Sequence, residues 1–148
     1  MSYQIKDYME RNVVTVDSGY TAAEASELML NKRVDYLIVL EGGQPTGIVT
    51  ERDFVWKVIA KKIDPSQVKV SEFMSAPLIT ITPEVSVEEA IMTMAKHNIR
   101  KLPIVQDKII QGIFTTRDLA KHFRYFEDKI LRDIITAQNL YGFSIDYM

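Results

Sequence analysis

Arginine and aspartate stand side by side twice in this chain, each time at the end of the same motif: Gly47-Ile-Val-Thr-Glu-Arg-Asp53 and Gly112-Ile-Phe-Thr-Thr-Arg-Asp118. Threonine three residues before aspartate is the pattern of a helix N-cap, with the hydroxyl at the cap and the carboxylate answering it from the third helical position. Capping does not account for Arg52 and Arg117, because a cation in the first helical turn opposes the helix dipole. A guanidinium beside free N–H groups suits phosphate oxygens. A carboxylate can accept two hydrogen bonds from a vicinal diol such as a ribose, and threonine adds a hydroxyl. Two readings therefore stand: caps alone, or caps that also grip a nucleotide.

In both copies a short apolar segment precedes the motif and a helix pattern follows it. The surrounding elements repeat as well. Laying Ile5–Asp53 on Val70–Asp118 at an offset of 65 residues needs no gap and gives eleven identical positions of 49, where unrelated sequences would share roughly three. "VVTV" (Val13–Val16) and "LITI" (Leu78–Ile81) read as strands. Thr21 with Glu24, and Ser86 with Glu89, open capped helices running to about Asn31 and Lys96. "YLIVL" and "LPIV" read as buried strands, followed by turns at Glu41–Gln44 and Gln106–Lys108 and third strands ending in the doubled motif. A last helix is expected from Phe54 to about Lys62, and another from Leu119 onward. Each unit is β-α-β-β-α, in an α/β (α+β) fold. The expected boundaries are 1–62 for the first unit, 63–69 for an Asp-Pro-Ser linker, 70–126 for the second unit and 127–148 for a C-terminal extension.

Composition narrows the functions. A net charge of −2 over 148 residues argues against a non-specific nucleic-acid binder. The absence of cysteine rules out disulfides, thiolate catalysis and zinc–thiolate sites and fits a reducing cytoplasm. The N-terminus does not read as a signal peptide, and the purest apolar run, Tyr36–Leu40, is too short to span a bilayer. No carboxylate pair is spaced as acid and base, and neither a P-loop nor a dinucleotide fingerprint is present. His97 and His122 read as surface or helix-end residues rather than ligands. Met29, Met74, Met92 and Met94 read as core.

The repeat, its unit length and the paired Gly-Ile-x-Thr-x-Arg-Asp ends resemble a tandem pair of CBS domains, named for cystathionine β-synthase, over roughly Ile5 to Phe123. The resemblance implies two units packed pseudo-symmetrically through their sheets, two clefts that bind AMP, ADP or ATP, in some members S-adenosylmethionine or NAD, and pairing into a homodimer. It implies a regulatory energy- or metabolite-sensing module, not an enzyme, with no catalytic residue, catalytic cofactor or metal, in the cytoplasm, acting on a regulated protein target. The alternative it leaves is a protein-interaction or scaffold module whose clefts hold S-adenosylmethionine, NAD or no ligand. Carried over residue by residue, the first cleft takes Asp53 for the ribose, Thr50 and Arg52 for phosphate, Ile48 under the base, and Leu78, Ile79 and Ile99 as the adenine wall. The second takes Asp118, Thr115, Arg117 and Ile113, with Val13, Val14 and Val34 as the wall.

The two clefts are not equivalent in sequence. Arg100 and Lys101 occupy positions where the family often reaches the phosphates, whereas their repeat mates are Asp35 and Tyr36. A carboxylate about 4 Å from a phosphate opposes it by about 4 kcal/mol at an effective dielectric near 20. Phosphate is therefore expected at the Asp118 cleft, and an Arg52–Asp35 pair is expected at the other. Beyond the repeat, Leu119, Phe123, Phe126, Ile130 and Ile134 form an apolar stripe consistent with one helix from Arg117 to about Gln138. It is expected to pack on the protein's own sheet or a dimer mate, while the aromatic tail Asn139–Met148 offers a partner arm as the other account.

Overall fold

The computed structural model describes residues 3–122 and, beyond them, residues 135, 136 and 139. The expected C-terminal stripe and tail, from Phe123 on, lie outside the described residues apart from those three positions. Strand β1 (Thr15–Asp17) precedes helix α1 (Ala22–Lys32), the hairpin β2 (Tyr36–Glu41) and β3 (Gln44–Thr50), and helix α2 (Glu51–Phe54). A π turn over Val55–Ile59 continues α2, and a single helical turn α3 (Val70–Phe73) follows. The second repeat supplies α4 (Val87–His97), the hairpin β4 (Lys101–Gln106) and β5 (Ile109–Thr115), and α5 (Thr116–Lys121). The helix after Thr50 thus begins at Glu51, three residues earlier than expected, because the Thr50–Asp53 cap starts it.

Local chemistry explains most of these elements. Thr21 accepts from the Glu24 amide at 3.1 Å while Glu24 Oε1 accepts from the Thr21 amide at 3.0 Å, and Ser86 accepts from the Glu89 amide at 3.1 Å. Both helices end on a left-handed residue, Arg33 and Asn98, which closes their last turns. The hairpins turn through two residues at positive φ, Gly42-Gly43 in one and Asp107-Lys108 in the other, the backbone that matches the twist of the flanking strands. Each hairpin carries a register shift at the same place, between Val39 and Leu40 and between Ile104 and Val105.

The chain packs as two units, Val13–Ile79 and Met1–Asn12 together with the residues from Thr80 on; they are called here the Asp53 unit and the Asp118 unit. The sequence repeat and the packing units therefore divide the chain differently. The segment that leads each repeat is built into the unit holding the other repeat's hairpin. The bonds that achieve this are pairwise equivalent. Ile5 N–H donates to Val85 O at 2.8 Å and Val87 N–H to Tyr3 O at 2.8 Å; at the mates, Val70 N–H donates to Tyr20 O and Ala22 N–H to Val68 O, both at 2.8 Å. The expected linker is absorbed into the Asp53 unit: Pro65 O and Val68 O accept from the first amides of α1, Ala23 and Ala22, donors that a helix start leaves unpaired.

In the Asp53 unit the sheet is β1-β2-β3, with β1 parallel to β2 and β2 antiparallel to β3. Val16, Leu37, Val39 and Val49 meet Ala25, Met29, Val58 and Phe73 in its core. Among the described residues of the Asp118 unit only β4 and β5 form a ladder. The strand expected at Leu78–Ile81 is reduced to one parallel bridge, Ile81 with Ile104, and the strand expected from Val13 begins at Thr15. Proline explains the difference. Ser18 N–H donates to Leu40 O and Ile38 N–H to Val14 O in the Asp53 unit. The mates of those donors are Pro83 and Pro103, which have no N–H to give. Leu102, Ile104 and Phe114 of this hairpin, with Ile91, Met94 and Ala95 of α4, are buried.

Candidate functional site

Each motif lies where its unit's hairpin passes into a helix. Its glycine lies against the leading segment with no room for a side chain. A Cβ on Gly112 would sit 2.6 Å from Met9 Sδ and 2.8 Å from Glu10 O; on Gly47 it would sit 2.6 Å from Met74 Sδ and 3.0 Å from Ser75 O. The isoleucine after each glycine bridges that same segment, Ile113 with Glu10 and Ile48 with Ser75. Gly-Ile is thus a docking edge for the leader.

Threonine and aspartate form the caps. In the Asp118 unit the box is reciprocal: Asp118 Oδ2 accepts from Thr115 N–H at 2.9 Å and from Thr115 Oγ1 at 3.0 Å, and Thr115 Oγ1 accepts from Asp118 N–H at 3.2 Å. In the Asp53 unit, Asp53 Oδ2 accepts from Thr50 N–H at 2.9 Å and, more weakly, from Thr50 Oγ1 at 3.4 Å. The capping reading therefore holds for both copies and leaves the arginines unexplained, as the sequence left them.

The second carboxylate oxygens differ. Asp53 Oδ1 accepts from Ser75 Oγ at 3.0 Å and pairs with Lys57 Nζ at 2.9 Å. Lys57 Nζ also donates to Phe73 O at 3.1 Å and Ser75 Oγ at 3.4 Å, so all three ammonium donors are engaged. Asp53 is 5% exposed. Asp118 is half-buried, and among the described residues its Oδ1 has no hydrogen-bond partner. The mates of Lys57 and Ser75 are His122 and Glu10. The His122 ring lies edge-on to Tyr8 at 5.4 Å, and Glu10 Oε1 accepts from Asn12 N–H at 2.9 Å. His97, in contrast, is exposed at the end of α4.

The arginines are both exposed. Arg52 lies over Trp56, its guanidinium carbon 5.0 Å from the ring centroid, a cation–π contact in place of the expected pairing with Asp35. The mate of Trp56 is Lys121, so Arg117 has no such aromatic at the equivalent position. Arg100 O accepts from Thr116 N–H at 3.1 Å, and Lys101 is the register partner of Thr115. The hairpin thereby sets Arg100, Lys101, Thr115, Arg117 and Asp118 at one end of a single unit. At the equivalent end, Asp35 O accepts from Glu51 N–H and Tyr36 pairs with Thr50. The four mates carry a net +2 at positions 100, 101, 117 and 118 but −1 at 35, 36, 52 and 53.

Of the residues expected at the second cleft, Ile113 is buried in the Asp118 unit, while Val13, Val14 and Val34 lie in the Asp53 unit, where Val14 and Val34 pack on its core. Of those expected at the first, Ile48, Leu78 and Ile79 fall in the same unit as Asp53, and Ile99 in the other. Sequence reasoning missed Lys57 and Ser75. The mismatch of each with its repeat mate was the available signal. It also missed an apolar groove of about 680 Å³ in the Asp53 unit, lined by Leu30, Val55 and Ile59 among others, all three well exposed. Burial, helped by Tyr3 and Asp7 nearby, raises the Tyr8 hydroxyl above its usual 10.0. In the former linker, the Ser66 N–H and hydroxyl on Asp64 lower that carboxyl. Among the described residues no group of three His, Asp or Glu is arranged to hold a metal, and no helix is long and apolar enough to cross a membrane.

Comparison with known proteins bears on this arrangement. The CBS domain family matches residues 5–59 and 70–125. The CBS domain-containing protein YhcV of Bacillus subtilis is 40% identical over 116 residues, 78% of this chain and 82% of that protein. An uncharacterised protein of Methanopyrus kandleri, MK0525, is 36% identical over 80% of this chain, which spans only 61% of it. Among solved structures, the hexameric CBS-CP12 protein from bloom-forming cyanobacteria superposes with a TM-score of 0.77 at 34% identity, covering 94% of this chain and 80% of that one.

Proposed function

Because this chain belongs to the CBS domain family, as a pair of CBS domains, we propose that it is a regulatory module sensing an adenine nucleotide of the AMP, ADP or ATP class at Asp118. The observation that carries this reading is the Asp118 carboxylate: one oxygen holds the cap, and the other, among the described residues, has no partner. An ionised oxygen has room for two donors, the number a ribose diol offers. Arg117, Arg100 and Lys101 supply positive charge at the same end of the unit for the phosphates. The reading gives the chain no chemistry to perform: the nucleotide binds, and its occupancy is the signal.

Calorimetric titration with AMP, ADP, ATP, S-adenosylmethionine and NAD tests it. Asp118→Ala should weaken nucleotide binding at least tenfold, since a charge-assisted hydrogen bond is worth about 1.5–3 kcal/mol. Unchanged affinity removes the site, and binding of none of the five leaves the interaction-module alternative. Self-association, proposed as a homodimer, draws support from the hexameric relative and from the exposure of Leu30, Val55 and Ile59. Sedimentation equilibrium measures it.

A further inference from the structure

We infer that Lys57 and Ser75 close the Asp53 motif to nucleotide, so that the doubled motif makes one binding site instead of two. The inference deepens the proposed nucleotide reading and rests on it. It stands on acceptor capacity. A carboxylate offers about four lone-pair sites. At Asp53 all four are taken, by Thr50 N–H, Thr50 Oγ1, Ser75 Oγ and Lys57 Nζ. At Asp118 the described residues take two, both on Oδ2.

A diol approaching Asp53 must therefore displace an ammonium already bonded to Phe73 O and Ser75 Oγ as well. Displacement exchanges an ion pair with a buried carboxylate, charged on both sides, for hydroxyl bonds charged on the acceptor side only. The lysine does not double as a phosphate ligand in this arrangement, because its three donors are spent. The Asp118 unit lacks the device. Glu10 has no hydroxyl to donate where Ser75 does, and its carboxylate is turned to Asn12 N–H. His122 meets Tyr8 edge-on, and the Asp118 Oδ1 is left without a partner among the described residues. Lys57 and Ser75 thus act on ligand choice through Asp53; they are specificity-determining residues for a motif that would otherwise match its twin.

The test counts AMP molecules per chain by calorimetry in the full-length protein, the Lys57→Ala/Ser75→Ala double variant and the milder Lys57→His, which takes the residue found at the mate. Circular dichroism first establishes that each variant is folded. The wild type should bind one AMP, lost in Asp118→Ala. The double variant should bind a second, with affinity at the Asp53 motif rising at least tenfold, and it should keep that second site when Asp118→Ala is added. Lys57→His should show the same gain in smaller degree and serves alone if the double variant does not fold. Trp56, the only tryptophan, sits against Arg52, so its emission should respond to AMP in the opened variants that also carry Asp118→Ala. Two AMP sites in the wild type, or one site in every opened variant, overturn the inference while leaving the nucleotide reading intact. No AMP binding by any of these proteins overturns the nucleotide reading and the inference with it.

Discussion

The Asp53 and Asp118 motifs are the same five residues, Gly, Ile, Thr, Arg and Asp, in the same register, and they have the same scaffolding duties. Their glycines admit the leading segments, their isoleucines bridge them, and their Thr–Asp pairs cap a helix. They part company only at the residues around them. Lysine and serine fill the Asp53 carboxylate and a tryptophan faces Arg52, while the basic residues gather at Asp118. The difference teaches that a duplicated motif can keep its folding duty in both copies while the partners of its carboxylates diverge. Identity of the motif is evidence of shared architecture first.

The largest expected effect falls on the shared duty. Gly112→Ala forces a methyl within 2.8 Å of the Glu10 carbonyl, Gly47→Ala within 3.0 Å of the Ser75 carbonyl. Overpacking of this kind costs about 1–3 kcal/mol. Chemical denaturation should place both variants in that range, with Gly112→Ala the more damaging. Equal and negligible losses would show that the leading segments are not held at the glycines.

Next in size is a contrast between the aspartates. Asp53→Ala removes a nearly buried carboxylate that accepts from Ser75 and pairs with Lys57, costing about 2 kcal/mol after allowance for the 43% exposure of the Lys57 side chain. Asp118→Ala removes a cap and costs about 1 kcal/mol. Stability should thus depend more on Asp53 and nucleotide binding more on Asp118. A reversal in denaturant midpoints would break the comparison.

The smallest effect concerns alkali. Tyr8 has Phe73 as its mate, so only the Asp118 unit carries an ionisable ring there. Its folded-state value lies above 10.0; the unfolded chain therefore loses the proton first. Stability should be intact below pH 10 and fall as pH rises through the folded value, as seen in thermal melts. Tyr8→Phe should remove that component of the fall. Persistence of the whole decline in that variant would assign it to other groups.

What the sequence made legible follows physical range. The caps at Thr21, Ser86, Thr50 and Thr115, the hairpin turns and the repeat itself are set by residues within a few positions of one another, and patterns of that length can be read directly. Two local signals, Pro83 and Pro103, were legible but outweighed by the apolar run Leu78–Ile81, which suggested a full strand although the prolines remove the flanking donors. The exchange of leading segments was not legible, because it is built from bonds such as Ile5 to Val85 that no spacing rule anticipates. The role of the motif glycines was hidden with it. At the candidate site, Arg100 and Lys101 were expected from the family resemblance, and their repeat mates Asp35 and Tyr36 marked the asymmetry. Lys57 stands four residues after Asp53, a legible spacing, but the Phe73 and Ser75 oxygens that also hold it lie 16 and 18 residues away. At the first cleft Tyr36 was read as a missing cation, whereas its hydroxyl accepts from Val14 N–H at 3.4 Å.

The central claim, that one motif binds and the other braces, is tested most directly by titrating AMP into the wild type, Asp118→Ala and Asp53→Ala in parallel under one salt condition. The account predicts one AMP per wild-type chain, loss of at least tenfold in affinity for Asp118→Ala, and an unchanged affinity in the folded fraction of Asp53→Ala. Two equal sites in the wild type, or binding abolished by Asp53→Ala and retained by Asp118→Ala, would contradict it.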